Sequence, residues 1–216
     1  MKNVWLTLLI LGLAAAASAA VAIQDVVTVG AGSAAPANSV DVPVFIRDTS
    51  GSPLGVDQPP GSKIQSYSLK VDYSPASAVQ SVTFTRGGIT TALTPAFESS
   101  PSGAGTITLL DTFQESTNPI PFTSNAALPG NQVGTLHFTL SPSAVPTTSI
   151  TLTLDPVLTQ LTDQAGSPAT KESVANANLL LVPGAINITA PVPALSTWAL
   201  VLLGGALAFI ALRTRM

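Results

Sequence analysis

Between Ser66 and Tyr73 large apolar residues fall on every second position: Tyr67, Leu69, Val71 and Tyr73 alternate with Ser66, Ser68, Lys70 and Asp72. A period of two places one set of side chains in a core and the other in water, the pattern of a half-buried strand, and its regularity here predicts a strand in mid-sheet. A second run sets Val40, Val42, Val44 and Ile46 against Asp41, Pro43, Phe45 and Arg47. Pro43 has no N–H to give a ladder, so this strand is expected at a sheet edge or bulged there. Further strands are predicted over 79–85, 106–111, 133–140, 149–154 and 175–182. In the later ones Leu136, Phe138 and Leu140 share a face, as do Ile150, Leu152 and Leu154, while threonines take the opposite face. The connections at 48–62, 95–105 and 118–130 are dense in Pro, Gly, Ser or Asn and are read as exposed loops, where binding specificity usually lives. The pattern fits an all-β sandwich of about nine strands.

The alternation fails at both ends of the chain. Lys2, an uncharged run from Val4 to Ala17 and the small residues after it have the order of a secretory signal peptide, with small-x-small cleavage sites ending at Ala19 or at Ala22. The mature chain is therefore expected to begin near Ala20 or Ile23, which assigns residues 1–22 to the signal and 23–190 to one domain. At the other end Leu195 to Leu212 carry no charge. As a helix this run would reach about 27 Å, close to the hydrocarbon thickness of a bilayer. Trp198 stands at an interfacial position, and Arg213 and Arg215 close the basic end, which the positive-inside rule places in the cytoplasm.

Residues 191–216 resemble the sorting segments that exosortase-type enzymes process in Gram-negative bacteria, in which a short Pro-containing signature precedes a hydrophobic span and a basic end. The IPTL-type signature, Ile-Pro-Thr-Leu-Ser-x-Trp-Gly, is met here by Val192, Pro193, Ala194, Leu195, Ser196, Thr197, Trp198 and Ala199, with matches at Pro193, Leu195, Ser196 and Trp198. The resemblance implies transient membrane anchorage by a C-terminal helix, processing by an exosortase-like enzyme after signal peptidase has acted, and delivery to the cell surface or beyond.

Charge and composition narrow what the body can do. Setting aside Lys2, Arg213 and Arg215, five of the eight basic residues remain against eleven acidic ones, so the body offers no basic patch to a nucleic acid. The chain has no cysteine, which excludes thiol nucleophiles and thiolate metal sites and leaves stability to the core.

Several strands also resemble a cohesin domain. Val27-Thr28-Val29-Gly30 and then Val40-Asp41-Val42-Pro43-Val44 look like the opening of that family. Tyr67 to Pro75 resembles its strand ending in a Tyr-Asp-Pro-like turn, here ordered Asp72-Tyr73-Ser74-Pro75, and Val133 to Phe138 resembles its apolar-x-Phe strand. The resemblance implies a nine-stranded jelly-roll sandwich, of the kind cohesins share with certain carbohydrate-binding modules, with its first and last strands close together. It also implies docking through one sheet face. On the polar sides of two strands that assigns Ser68, Lys70, Thr135 and His137 to a single contact surface for a protein or polysaccharide. Both tryptophans, Trp5 and Trp198, lie in the removable ends, which disfavours a sugar-stacking platform. A structural envelope or matrix component without a discrete ligand is the alternative.

Other chemistries find little support. Gly30-Ala31-Gly32-Ser33-Ala34-Ala35 mimics a dinucleotide fingerprint, but Pro36 and the strand after it leave no helix to receive a pyrophosphate, so the segment is read as a loop and no cofactor is assigned. His137 is the only histidine and alternation puts it on a solvated face, which leaves no metal cluster and no nucleophile–base pair. Asp72, Glu98, Asp111 and Glu115 could form a glycosidase pair only if their spacing allowed it, and a non-enzyme is expected. Acids cluster at Asp48 with Asp57 and at Asp163 with Glu172, yet neither loop has the alternating ligand spacing of a tight calcium site. The sequon Asn187-Ile188-Thr189 is read as strand.

Overall fold

The computed structural model describes residues 22–163 and 170–191. Two sheets pack face to face. Among the described residues the strands are β1 (Asp25–Val29), β2 (Ala31–Ala34), β3 (Ser39–Arg47), β4 (Ser66–Ser74), β5 (Val79–Arg86), β6 (Phe97–Ser99), β7 (Ser102–Gly103), β8 (Thr106–Thr112), β9 (Asn131–Leu140), β10 (Ser149–Leu154), β11 (Gln160–Thr162), β12 (Lys171–Ser173), β13 (Leu179–Val182) and β14 (Gly184–Ile188). One sheet has the order β13-β1-β3-β9-β5; the other runs β12-β11-β4-β10-β14-β2, with β8 on the far side of β4 and β6 and β7 on β8. Two short hairpin strands from the expected 95–105 loop pair with β8, and β11–β12 forms a further hairpin, so the strand number exceeds the nine expected.

The core lies where the alternation puts it. Tyr67, Leu69, Val71 and Tyr73 are all buried, as are Leu136, Phe138 and Leu140 on the facing sheet and Ile150, Leu152 and Leu154 beside β4. Tyr73 meets Phe138 edge-on across the sandwich, with ring centres 5.6 Å apart at 87°, the T-shaped geometry that aromatic quadrupoles favour. β4 is interior: β10 and β11 share one of its sides and β8 takes the other.

Pro43 is not at an edge, because β3 lies between β1 and β9. Its carbonyl accepts from Gly30 N at 2.8 Å. Gly30 is where the chain leaves β1 for the other sheet, so the missing N–H falls where that ladder is ending, and the β3–β9 register shifts just afterwards, between Val44 and Phe45. The glycine-rich segment read as a loop is instead the crossing strand β2. At the same place β13 passes into β14, and a Cβ on Gly184 would lie 2.0 Å from Gly30 O. Only a glycine there lets the two backbones cross. β1 pairs in parallel with β13, and β2 in parallel with β14, which brings the first and last strands together.

The strand expected over 175–182 is shorter. Residues Val174–Asn176 form a 3-10 turn in which Ser173 Oγ accepts from Asn176 N, and Ala177 at φ 58° ends it. Local side-chain capping of this kind competes with a ladder, so pairing resumes only at Leu179. Asn187 and Ile188 lie in β14, as read. The signal segment with Ala20, the sorting signature Val192, Pro193, Ala194, Leu195, Ser196 and Trp198, and the basic end Arg213 and Arg215 lie outside the described residues. Within them no helix is long and apolar enough to cross a membrane.

Candidate functional site

The four residues assigned to one contact surface do not share one. Ser68 and Lys70 lie on the outward face of β4, whereas Thr135 and His137 lie on β9, in the other sheet. They occupy opposite sides of the sandwich. Both strands alternate in the same way, but outward from one sheet is away from outward on the other.

The β9 side is a polar grid. His137 Nδ1 is 2.7 Å from Asp41 Oδ1 on β3, with Thr83 of β5 in register on its other flank. Ser39 and Thr139 share a hydroxyl hydrogen bond in the next row.

The β4 side combines charge with exposed apolar area. Lys70 Nζ donates to Asp155 Oδ2 at 2.9 Å and lies 3.5 Å from Asp72 Oδ1. The hydrogen bond to Asp155 raises the Lys70 ammonium above its ordinary range, and the same bond holds Asp155 below the usual carboxylate range, helped by the N–H groups of Leu158 and Val157. Those two N–H groups both donate to Asp155 Oδ1, at 3.0 and 2.8 Å. One carboxylate therefore anchors Lys70 and shapes the turn that holds Val157 and Leu158 in solvent, 80% and 50% exposed. Ser68 Oγ donates to Leu158 O at 3.1 Å and fixes the turn over the sheet. Across the sheet Ser68 is in register with Leu110, and in the next row Ser66, Thr112 and Phe97 align, with Phe97 54% exposed. Exposed apolar side chains such as Val157, Leu158 and Phe97 are the kind that contact centres are rich in. Asp155, Val157, Leu158 and Phe97 lie outside the residues expected at a site. Asp155-Pro156 was the available signal, an aspartate placed to bond its own backbone two and three residues on.

The carboxylates weighed for catalysis disperse. Asp111 is buried and accepts a hydrogen bond from Tyr67 Oη; burial raises its carboxyl to about 6. Glu98 pairs with Arg86, Asp72 faces Lys70, and Glu115 Oε2 accepts from Gly61 N at 2.8 Å. Glu115 lines a groove of about 540 Å³ with Pro60, Gln114, Ser116 and Asp163. Asp48 and Asp57 lie close together at Gly55, and Asp57 Oδ2 accepts from Gly51 N at 2.9 Å, whereas Glu172 lies against Asp25 and Asp48, and Asp163 Oδ2 accepts from Thr170 N at 2.9 Å. Among the described residues no three histidine or carboxylate side chains converge as a metal site.

Comparison with known proteins bears on both parts of the chain. Residues 190–216 match the IPTL-CTERM motif. The body is similar to the sixth cohesin of scaffoldin B from Acetivibrio cellulolyticus, solved in complex with a dockerin, with a TM-score of 0.54 and 16% identity over 76% of this chain and 99% of that one. It is similar to the seventh ScaB type I cohesin from Pseudobacteroides cellulosolvens, with a TM-score of 0.54 and 17% identity over 79% and 96%. The body has the cohesin fold. The third ScaC cohesin of Acetivibrio cellulolyticus, bound to a dockerin, gives a TM-score of 0.53 with 16% identity over 77% and 100%, so the cohesin-like body spans the full length of such domains. No curated protein sequence matches the chain.

Proposed function

We propose that the chain is an exported, surface-sorted, non-catalytic binding module that presents the outward face of β4, β8 and β10 to a protein partner. One observation carries the reading: a cohesin fold ends at Ile188 and an IPTL-CTERM motif begins at residue 190. Two of the similar cohesins were solved holding a dockerin, a protein. The β4 face is favoured over the β9 face because Val157, Leu158 and Phe97 give it exposed apolar area. In this reading a signal peptidase cuts after Ala19 or Ala22. The C-terminal helix then holds the precursor in the inner membrane of a Gram-negative cell, and an exosortase-like enzyme acts near Pro193 and releases the body to the surface. The body needs no cofactor.

Affinity capture from the native culture tests it, with the parent chain compared against Lys70→Ala/Leu158→Ala and against Thr135→Ala/His137→Ala. A specific protein retained by the parent and by the β9-face variant, but lost from the β4-face variant, is the expected result. Equal retention by all three places the contact elsewhere; retention of glycans alone would replace the protein partner with a polysaccharide.

A further inference from the structure

Asp25, at the start of β1, and Glu172, in the middle of β12, are wholly buried and lie against each other, and one oxygen of each, Asp25 Oδ2 and Glu172 Oε2, has no donor from any other group. Two carboxyl oxygens facing each other in this way are satisfied only with a proton between them, since ionised carboxylates accept and do not donate. Each also holds the loop that follows β3. Thr49 N donates to Asp25 Oδ1 at 2.8 Å, and Leu54 N donates to Glu172 Oε1 at 2.9 Å. Ser52 Oγ, close to Asp25, donates to Leu54 O within the loop. The charged group that faces the pair directly is Asp48, also buried, which accepts from Val56 N at 2.8 Å; Asp57 and Arg47 act on Asp48 in turn.

Apart from Leu54 and the half-buried Val56, this loop has little apolar anchorage, being mostly Asp, Ser, Gly, Pro and Gln. Backbone N–H groups of Thr49, Leu54 and Val56 bond carboxylates, and Ser50 at the start of the loop bonds Asn125 and Ser124. Segments with few buried apolar contacts open at the lowest free-energy cost.

We propose that the Asp25–Glu172 pair is a proton-held latch, which pins the loop from Thr49 to Val56 and the β11–β12 hairpin to the start of β1 and frees them when the shared proton is lost. Burial, with the charge of Asp25 facing it, raises Glu172 to about 9; burial raises Asp25 to about 6. Opening exposes both groups to water, where they ionise at ordinary carboxylate values. Because the latched state has the raised pKa, its stability is complete below the ordinary carboxylate range and is lost as pH rises through the latched value. Between neutral pH and about pH 9 each opening event releases one proton, so the opening constant rises about tenfold per pH unit.

The test is subtilisin digestion of the full chain in detergent at pH 7, 8 and 9. Cuts between Thr49 and Ser62 are mapped by mass, and rates are normalised to an unstructured peptide at each pH. Where reclosing outpaces cleavage, the rate follows the open population. The parent should show a normalised rise of about tenfold per unit. In Glu172→Gln the amide can donate to Asp25 without ionising, and the rise should shrink to under about threefold over the whole range. Asp111→Asn, which removes a buried acid elsewhere, should behave as the parent. A flat parent profile, or the parent's slope in Glu172→Gln, overturns the latch. Should Glu172→Gln fail to fold, the side-chain carboxyl carbon resonances of Asp25 and Glu172 in the parent decide: titration of both below pH 5 overturns it, and a midpoint well above 7 for one supports it.

Discussion

Arg86 and Glu98 join the two sheets at one side of the sandwich: Arg86 Nε, on β5, donates to Glu98 Oε1, on β6, at 3.0 Å. The same guanidinium also donates to the carbonyls of Thr90 and Leu93, at 2.8 and 2.9 Å, and so holds the turn after β5. Its two partnerships differ in worth. The carboxylate is 42% exposed and the ion pair is a surface one, so Glu98→Ala should cost about 0–1 kcal/mol. Arg86→Ala strands two carbonyls and should cost about 1–3 kcal/mol. Urea unfolding of both variants measures the difference, and equal losses would show that the ion pair dominates.

The alternation along β4 makes a second contrast. Leu69 is fully buried and truncation to alanine should cost about 2–5 kcal/mol. Its neighbour Lys70 points outward into its pair with Asp155, and Lys70→Ala should move the urea midpoint only slightly. Comparable shifts in the two variants would contradict the assignment of faces.

Asp111 sets a pH dependence. Burial raises its folded pKa to about 6 from the ordinary aspartate value of 3.8, while Tyr67 and Arg86 act in the opposite sense and Glu98 adds to the rise. With the folded value raised, its stabilising contribution is present below about pH 4 and is lost as pH climbs through about 6. Asp111→Asn keeps an acceptor for Tyr67 without ionising, and should therefore flatten the stability profile between pH 4 and 7 by about 1–3 kcal/mol. Unfolding free energies at several pH values check it; an unchanged slope would mean that Asp111 ionises as freely when folded as when unfolded.

The ends of the mature chain can be read by intact mass. The dominant species in envelope and secreted fractions should start near Ala20 or Ile23 and should have lost the residues beyond about Pro193. A dominant species that retains Trp198 to Met216 would make the tail a permanent anchor.

Much of the fold was legible because a period of two is a local signal. The burial of Tyr67, Leu69, Val71 and Tyr73 follows from their spacing alone, and so does the outward position of His137. What could not be read is which strand lies beside which. β4 and β9 carry the same alternation, and only the ladders, set by contacts distant along the chain, put them in opposite sheets. The Asp25–Glu172 contact was hidden for the same reason, since nothing near either residue announces the other. Near residue 175 the error was local: apolar residues suggested a strand, while Ser173 and Asn176 closed a turn. The likeness to cohesins was visible in short motifs made of ordinary strand residues, and it took the paired sheets to turn it into a fold.

The parallel pairing of β2 with β14 has a mechanical consequence. β14 is the last strand before the sorting motif and is flanked on both sides, by β10 and by β2. Thr189 N still donates to Ala34 O at 2.9 Å, and the motif begins at the next residue. A pull on the residues that follow therefore enters along the axis of β14. Tension in that direction must slide the strand past two ladders at once, breaking their hydrogen bonds together, whereas a strand bonded on one side could be peeled away one bond at a time.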